Sequence, residues 1–378
     1  MNNIFKKITE RIDWILFGAV ILISGAGILT MDSFVSPSKF SEKQLIWLLV
    51  SLSIFFLASF IDWRFLRKSK MNIIAFLIST GLLLLLFLSG SIFKGARSWF
   101  NLGSFAFQPT DFAKLALILL LAKYFSRRHV EIRHVRHILV SGLYAFIIFT
   151  LVLLQPDFGS AIIVFFVWLG MVLVSGISKR HLLFVFAVGL VSFVLLWSFV
   201  FKDYQKARIA SFISPLADIR GAGYNAYQST IAVGSGGLFG KGIGYGSQSK
   251  LHFLPEYQTD FIFASYAEEW GFAGILILLG LYGVVLWRIL AISYKGETNF
   301  EILYGLGLCV IFLSHIVIHA GMNVGLLPVT GTTIPFMSYG GSHMLVEFLG
   351  LGILMGMKNY SRTVHKDSEH NELIQIHQ

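Results

Sequence analysis

Four carboxylates, Glu256, Asp260, Glu268 and Glu269, fall within one short stretch of a 378-residue chain that has only 20 acidic residues. Glu268 and Glu269 suit a cap on the apolar run that follows, whereas Asp260 lies between Thr259 and the bulky Phe261, Ile262 and Phe263. A carboxylate held against such side chains has a raised pKa and can serve as a general base. A second group lies in KGARSWFNLGSFAFQPTDFAKLAL (94–117), where Lys94, Arg97 and Trp99 combine cations with an aromatic face and Gln108, Asp111 and Lys114 follow. Asp111 and Lys114 are i,i+3 at a helix start, which suits a cap and an intrahelical pair. Lys114 also enters an apolar span, where an unpaired ammonium costs roughly 2.5–3.5 kcal/mol, so a partner or a bound anion is expected.

Two outer turns add to these. LLQPDFGSA (153–161) places Gln155 and Asp157 in a tight turn, where an Asp after Pro is ordinarily a turn-former. LLPVTGTTIPFMSYGGSH (326–343) carries hydroxyls on Thr330, Thr332, Thr333, Ser338, Tyr339 and Ser342. Such a set can hydrogen-bond a sugar, and turn chemistry alone also accounts for it.

Other chemistries find less support. Gly240-Lys241-Gly242 resembles a phosphate loop, but Ser235 stands where its first glycine belongs and Gly242 where Ser or Thr belongs. Its glycines are read chiefly as turn-formers. His315 and His319 share a helix face without an HExxH motif and are read as a packed pair. No G-x-S-x-G elbow occurs. The single cysteine, Cys309, excludes a disulfide framework and any multi-cysteine metal site.

The elements that must position these residues follow from composition. With 56% apolar and 13% charged residues, the chain excludes an ordinary water-soluble enzyme. Apolar runs fall at roughly 14–31, 45–61, 72–90, 112–125, 137–154, 159–176, 181–201, 270–292, 302–326 and 342–357. The expected fold is an all-α polytopic membrane protein, a single integral domain of about ten transmembrane helices, with a large outer loop (202–269) between helices seven and eight. Within that loop, YNAYQSTIAV (224–233) reads as a helix and GSGGLFGKGIGYG (234–246) as backbone turns. Lys and Arg concentrate on one side of the runs, which places both termini in the cytoplasm. The net charge of +10 is explained by orientation and contact with membrane lipids, and nucleic acid is not needed. The polar tail (360–378) is expected to be a short, disordered cytoplasmic segment.

The stretches that gather carboxylates, cations and hydroxyls thus lie at the outer membrane surface, a pattern that fits an amphiphile with an outward headgroup. GARSWF with FQPTDFAKLAL, LLQPDFGSA, the run from Gln228 to Gly271, and GLLPVTGTTIPFMSYGGS resemble the signature segments of the SEDS family (shape, elongation, division and sporulation). GSQSKLHFLPE and the short tails resemble its elongation member more than its division member. The likeness covers essentially the whole chain.

The resemblance implies a peptidoglycan glycosyltransferase of the bacterial plasma membrane. Such an enzyme polymerises lipid II through β-1,4 bonds and releases undecaprenyl pyrophosphate. It implies a class B penicillin-binding protein (a transpeptidase) and the elongation machinery as partners. By position in the motifs, the family's essential aspartate falls on Asp260, its functional tryptophan on Trp99 and its charged pair on Asp111 and Lys114. Gln155, Asp157, Arg208, Glu256, Thr259, Ser338 and Ser342 complete the expected substrate-binding set. Inversion at an α-linked pyrophosphate needs one base and charge stabilisation of the leaving group. Lys114, Arg97 and Arg208 are candidates for the latter, with a divalent cation (Mg or Mn) as a further source of charge.

Two departures stand out. Gly331-Thr332-Thr333-Ile334-Pro335-Phe336 replaces an expected Gly-Ile/Leu-Pro-Leu-Pro-Phe run, and Glu347 puts a carboxylate inside the tenth helix. Glu347 is expected to be buried or paired, with His343 or Lys114 as partner. The competing reading is a lipid II flippase, which would carry its polar site near the bilayer midplane. A non-catalytic scaffold is a third.

Overall fold

The computed structural model describes residues 11–33, 39–89, 91–93, 96–101, 106–126, 135–199, 201, 203–214, 221, 223–251 and 253–376. Ten helices coincide with the ten apolar runs: α1 (Trp14–Asp32), α2 (Lys39–Phe60), α3 (Ser69–Ser89), α4 (Pro109–Ser126), α5 (Val135–Leu154), α6 (Phe158–Val174), α7 (Lys179–Phe199), α11 (Ile262–Ser293), α12 (Asn299–Asn323) and α13 (Gly341–Ile376). Seven of these, α1, α2, α3, α5, α7, α11 and α12, are long and apolar enough to cross a membrane. Starts are set by side-chain caps: Asp13 accepts the Leu16 amide at 3.0 Å, Asp157 accepts the Ser160 amide at 3.0 Å, and Thr298 and Glu301 form a capping box on α12.

Packing is built around α4, α12 and α13. α13 lies along α2, α11 packs on α1 and α12, α3 on α4, and α12 on α4 and α6. Every residue of α4 from Ala113 to Ala122 is buried, so this helix is enclosed by protein, whereas α7 is exposed along nearly its whole length. A helix apolar on all sides suits either setting.

The segment 202–269 contains α8 (Asp203–Ile213), α9 (Tyr224–Ser235) and α10 (Ser247–Lys250). The expected helix over 224–233 is present as α9, and the glycine tract after it forms turns. That tract closes on α11 where Gly271 (φ 65°) interrupts the helix. Phe272 and Ala273 amides donate to Gly237 and Leu238 at 2.9 and 3.0 Å, and Lys241 and Gly242 amides donate to Glu268 and Glu269 carbonyls, both at 3.0 Å. Beyond the break, residues 272–293 span about 33 Å at ~1.5 Å per residue, close to the hydrocarbon thickness of a bilayer.

Two features differ from the sequence-based expectation. A small antiparallel sheet, β1 (Ser91–Phe93), β2 (Ala96–Asn101) and β3 (Ala106–Phe107), stands between α3 and α4 and pairs Ser91 with Trp99 and Phe100 with Phe107. Aromatic residues alternating with small polar ones between Gly90, Gly95 and Pro109 favour this over helix. The polar tail continues α13 to Ile376 rather than leaving the helix after Asn359. Residues 361–376 contain no Gly or Pro to stop it.

Candidate active site

Asp260 sits in the turn before α11, and its surroundings are fixed mainly through backbone. The Glu256 carbonyl accepts the Thr259 and Phe261 amides at 3.1 and 3.2 Å, which closes the turn with Glu256 at φ 53°. Asn323, at the C-terminal end of α12, donates to the Asp260 carbonyl at 3.0 Å and accepts the Ala264 amide at 3.2 Å. The Ser338 hydroxyl donates to the Thr259 carbonyl at 2.9 Å, and the Tyr339 amide donates to Gln258 at 2.8 Å. Gly331 (φ 74°) faces the carboxylate, since a Cβ there would lie 3.4 Å from Asp260 Oδ2. The structure therefore brings Glu256, Thr259, Asp260 and Ser338 together in one turn and the loop beneath it. Half-buried Asp260 keeps part of its surface open. Beside it, burial and the Glu256 charge push the Tyr257 hydroxyl above its ordinary pKa.

The segment 332–340 under Asp260 runs through protein, and buried side chains satisfy its backbone. His319 Nδ1 meets the Thr332 carbonyl at 2.6 Å and His315 Nδ1 the Thr333 carbonyl at 2.9 Å. The Tyr282 hydroxyl donates to Pro335 at 2.6 Å, Gln44 Nε2 donates to Ser338 at 3.0 Å, and the Gly340 amide donates to Gln44 Oε1 at 3.3 Å. Irregular backbone buried in protein requires such partners. The expectation that His315 and His319 are a packed, hydrogen-bonded pair holds, and each fastens this segment.

Below lies an ionisable cluster. Lys114 Nζ is 3.0 Å from Asp111 Oδ1 and 3.4 Å from His315 Nε2, and all three residues are buried. His343 bridges two carboxylates, with Nδ1 at 3.2 Å from Asp111 Oδ1 and Nε2 at 2.9 Å from Glu347 Oε1. Glu347 is thus paired with His343, one of the two partners expected. The cluster borders a cavity of about 20 Å³, room for one water. Lys114, five residues into α4, is only about 8 Å from that helix's N-terminal end.

Around the rim, Gln108 Nε2 donates to Asp157 Oδ2 at 3.3 Å and its amide donates to Ser342 Oγ at 3.3 Å. A Cβ on Gly159 would meet the Thr330 carbonyl at 2.7 Å, so the α6 start packs directly on the loop that faces Asp260. Asp111, Lys114, Asp157 and Ser342 are thereby joined across α4, α6 and α13. Gln155 is not part of the rim: it is buried, and its amide donates to the Leu83 carbonyl at 2.9 Å. Trp99 is half-buried on β2 and Arg208 is exposed on α8, while Lys94 and the Arg97 side chain lie outside the described residues.

Glu268 and Glu269 do more than begin a helix. Both are buried within α11; Glu268 Oε1 accepts from Lys241 Nζ at 2.7 Å, Ser247 Oγ at 3.1 Å and the Gln248 amide at 3.2 Å. Glu269 accepts the Gly244 amide at 2.9 Å and the Ser33 hydroxyl. They organise the glycine tract, and Lys241 is engaged there. Asn323, Gln44 and Tyr282 were not singled out in the sequence; Asn323 and Tyr282 carry the signal of a polar group inside an apolar run, and Gln44 stands at the edge of one. Among the described residues, no three His, Cys, Asp or Glu side chains converge as metal ligands.

Fold and site define a multi-pass helical membrane protein with a carboxylate-bearing loop fastened over a buried ionisable cluster. The chain belongs to the FtsW/RodA/SpoVE family: residues 8–363 match FTSW_RODA_SPOVE, described as cell cycle protein. It is 41% identical over 278 residues to the peptidoglycan glycosyltransferase MrdB of Escherichia coli (strain K12), covering 73% of this chain and 75% of that one. It is 35% identical over 349 residues to the stage V sporulation protein E of Bacillus subtilis (strain 168), covering 91% and 94%. Among solved structures it resembles a chain of a peptidoglycan synthase complex described as coordinating polymerization and crosslinking, with TM-score 0.79, 31% identity and coverage of 92% and 98%.

Proposed function

We infer that the chain is a peptidoglycan glycosyltransferase that polymerises lipid II at the outer face of the bacterial plasma membrane during elongation. Family membership supports the reaction class, and the observation that carries the site is Asp260, its backbone fastened by Asn323 and its carboxylate against Gly331. Asp260 accepts the proton of the acceptor 4-hydroxyl as that oxygen attacks the anomeric carbon of the donor. The bond from that carbon to the pyrophosphate oxygen breaks in the same displacement, and undecaprenyl pyrophosphate leaves with the electron pair. An α linkage becomes β, so one base suffices and no covalent enzyme intermediate forms.

The leaving pyrophosphate needs positive charge. Lys114 is committed to Asp111 in a buried pair, so of the three cations expected for this role Arg97 and Arg208 are the ones put forward. A divalent cation would draw its ligands mainly from the pyrophosphate and water. Glu256 and Thr259, both partly exposed, border the sugar site, and Trp99 would stack on a ring or hold the lipid. Ser338 and Ser342, expected in the same set, are buried and serve the Ile334, Thr259 and Gln108 backbone instead. A class B penicillin-binding protein crosslinks the product, and both termini face the cytoplasm.

The test is turnover of purified lipid II by the detergent-purified protein with its transpeptidase partner. Glycan ladders support the polymerase. Lipid II crossing reconstituted vesicles without polymer would support the flippase instead.

A further inference from the structure

The backbone under Asp260 contains one bulky residue in a left-handed conformation, Phe336, at φ 62°. Such a conformation is rare for an aromatic side chain and persists only where the surroundings over-determine it. Here the ring is held between Phe312 and Phe348, with centroids at 5.2 and 5.5 Å, and the Phe336 amide donates to Glu347 Oε2 at 2.9 Å. Two residues further on, Ser338 Oγ accepts the Ile334 amide at 2.9 Å while donating to the Thr259 carbonyl at the same distance. Tyr339 then binds Gln258. The Phe336 turn is thus the support on which the backbone immediately before Asp260 rests.

Glu347 faces both ways. Its Oε2 holds the turn, and its Oε1 meets His343, whose other nitrogen meets Asp111. A continuous chain of buried contacts therefore runs from Lys114 through Asp111, His343, Glu347, Phe336 and Ser338 to Thr259. Buried polar networks fix a single arrangement where their members are paired, and here the paired link to the turn is the Phe336 amide on Glu347 Oε2, while Asp111 Oδ2 has no hydrogen-bond partner among the described residues.

We propose that Glu347 and His343 are positioning residues for glycosyl transfer, tying the Phe336 turn, and through it the Asp260 backbone, to the Asp111–Lys114 pair. This rests on the reading of Asp260 as the base. Glu347 touches no reacting atom; it sets where Asp260 stands, and misplacement by about 1 Å costs on the order of 100-fold in rate.

The experiment compares wild type, Glu347→Ala, Glu347→Gln and Asp260→Asn, each with the transpeptidase partner. It measures kcat and KM for lipid II and amide hydrogen exchange in peptides covering 331–340. Glu347→Ala is expected to lower kcat about tenfold or more with KM unchanged and to speed exchange around Phe336. Glu347→Gln keeps an oxygen for the Phe336 amide and should return kcat to within about threefold of wild type. Unchanged kcat in Glu347→Ala, with or without faster exchange, overturns the proposal provided Asp260→Asn is inactive. An active Asp260→Asn instead removes the base assignment, while the exchange data still report whether Glu347 holds the turn. Should Glu347→Ala not purify in folded form, Glu347→Gln against Glu347→Met decides on the same readouts.

Discussion

Asn323 Nδ2 donates to the Asp260 carbonyl at 3.0 Å while Asn323 Oδ1 accepts the Ala264 amide at 3.2 Å, so one amide side chain joins the end of α12 to both sides of the α11 start. The same nitrogen reaches the His319 carbonyl at 2.8 Å, and Ser229 of α9 donates to the Asn323 carbonyl at 2.8 Å. Asn323→Leu removes these side-chain partners while adding no polar group. Each buried backbone group left orphaned costs about 1–3 kcal/mol. Thermal unfolding in detergent should shift down, and polymerisation should fall further than the lost folded fraction explains.

Glycines of the tract around 234–246 separate by what surrounds them. A Cβ on Gly236 would lie 2.1 Å from the Ala267 carbonyl oxygen, whereas Gly234 has open space around it. Gly236→Ala must push the tract off α11 and is expected to destabilise by about 1–3 kcal/mol. Gly234→Ala, inside α9, should be neutral or stabilising by up to about 1 kcal/mol. Paired unfolding curves check the contrast.

Lys241 and Glu268 form a lid on the same tract, 2.7 Å apart, with Glu268 fully buried and Lys241 about one-third exposed. Solvent screens the lysine, and Ser247 and Gln248 also serve Glu268. Lys241→Met is therefore expected to cost about 1–3 kcal/mol, mostly from the carboxylate left without its cation. Adding Glu268→Gln should recover much of that loss, which a double-mutant cycle measures. If Lys241 instead bound pyrophosphate, the double variant would regain stability without regaining activity.

At the opposite end, Asp13 joins α1 to α11. Burial alone would raise its pKa, but hydrogen bonds from Arg288 and the Leu16 amide, with the nearby Lys358 charge, hold its carboxyl below the ordinary aspartate value. A carboxyl depressed in the folded state contributes stability above its unfolded pKa, and that contribution is lost as pH falls through the folded value. Stability should decline as pH drops below about 4, with a shallower decline in Asp13→Asn.

Much of this arrangement can be read from the chain before folding it. The ten apolar runs are long enough that each coincides with a helix. Lys114 inside an apolar run demanded a partner, and Asp111 one turn away supplied it. Gln44, Tyr282 and Asn323 are different: their partners are backbone groups of a distant loop, so no local spacing reveals them, and Gln44 binds a carbonyl 294 residues away. Gln155 misled because a polar residue in a Pro turn looks outward, whereas its amide turns back to α3. The Phe336 turn was equally hidden, since nothing in Ile334-Pro335-Phe336 announces a left-handed residue.

The most direct measurement of the central claim is lipid II turnover by Asp260→Asn beside wild type, both with the transpeptidase partner and both shown to be equally folded. Asn keeps the side chain's shape and the Asn323 contact to its backbone but cannot take the acceptor proton. Loss of glycan ladders by at least about 100-fold, with lipid II binding retained, is the predicted result. Ladders at close to the wild-type rate would contradict it and move the base elsewhere on the outer face.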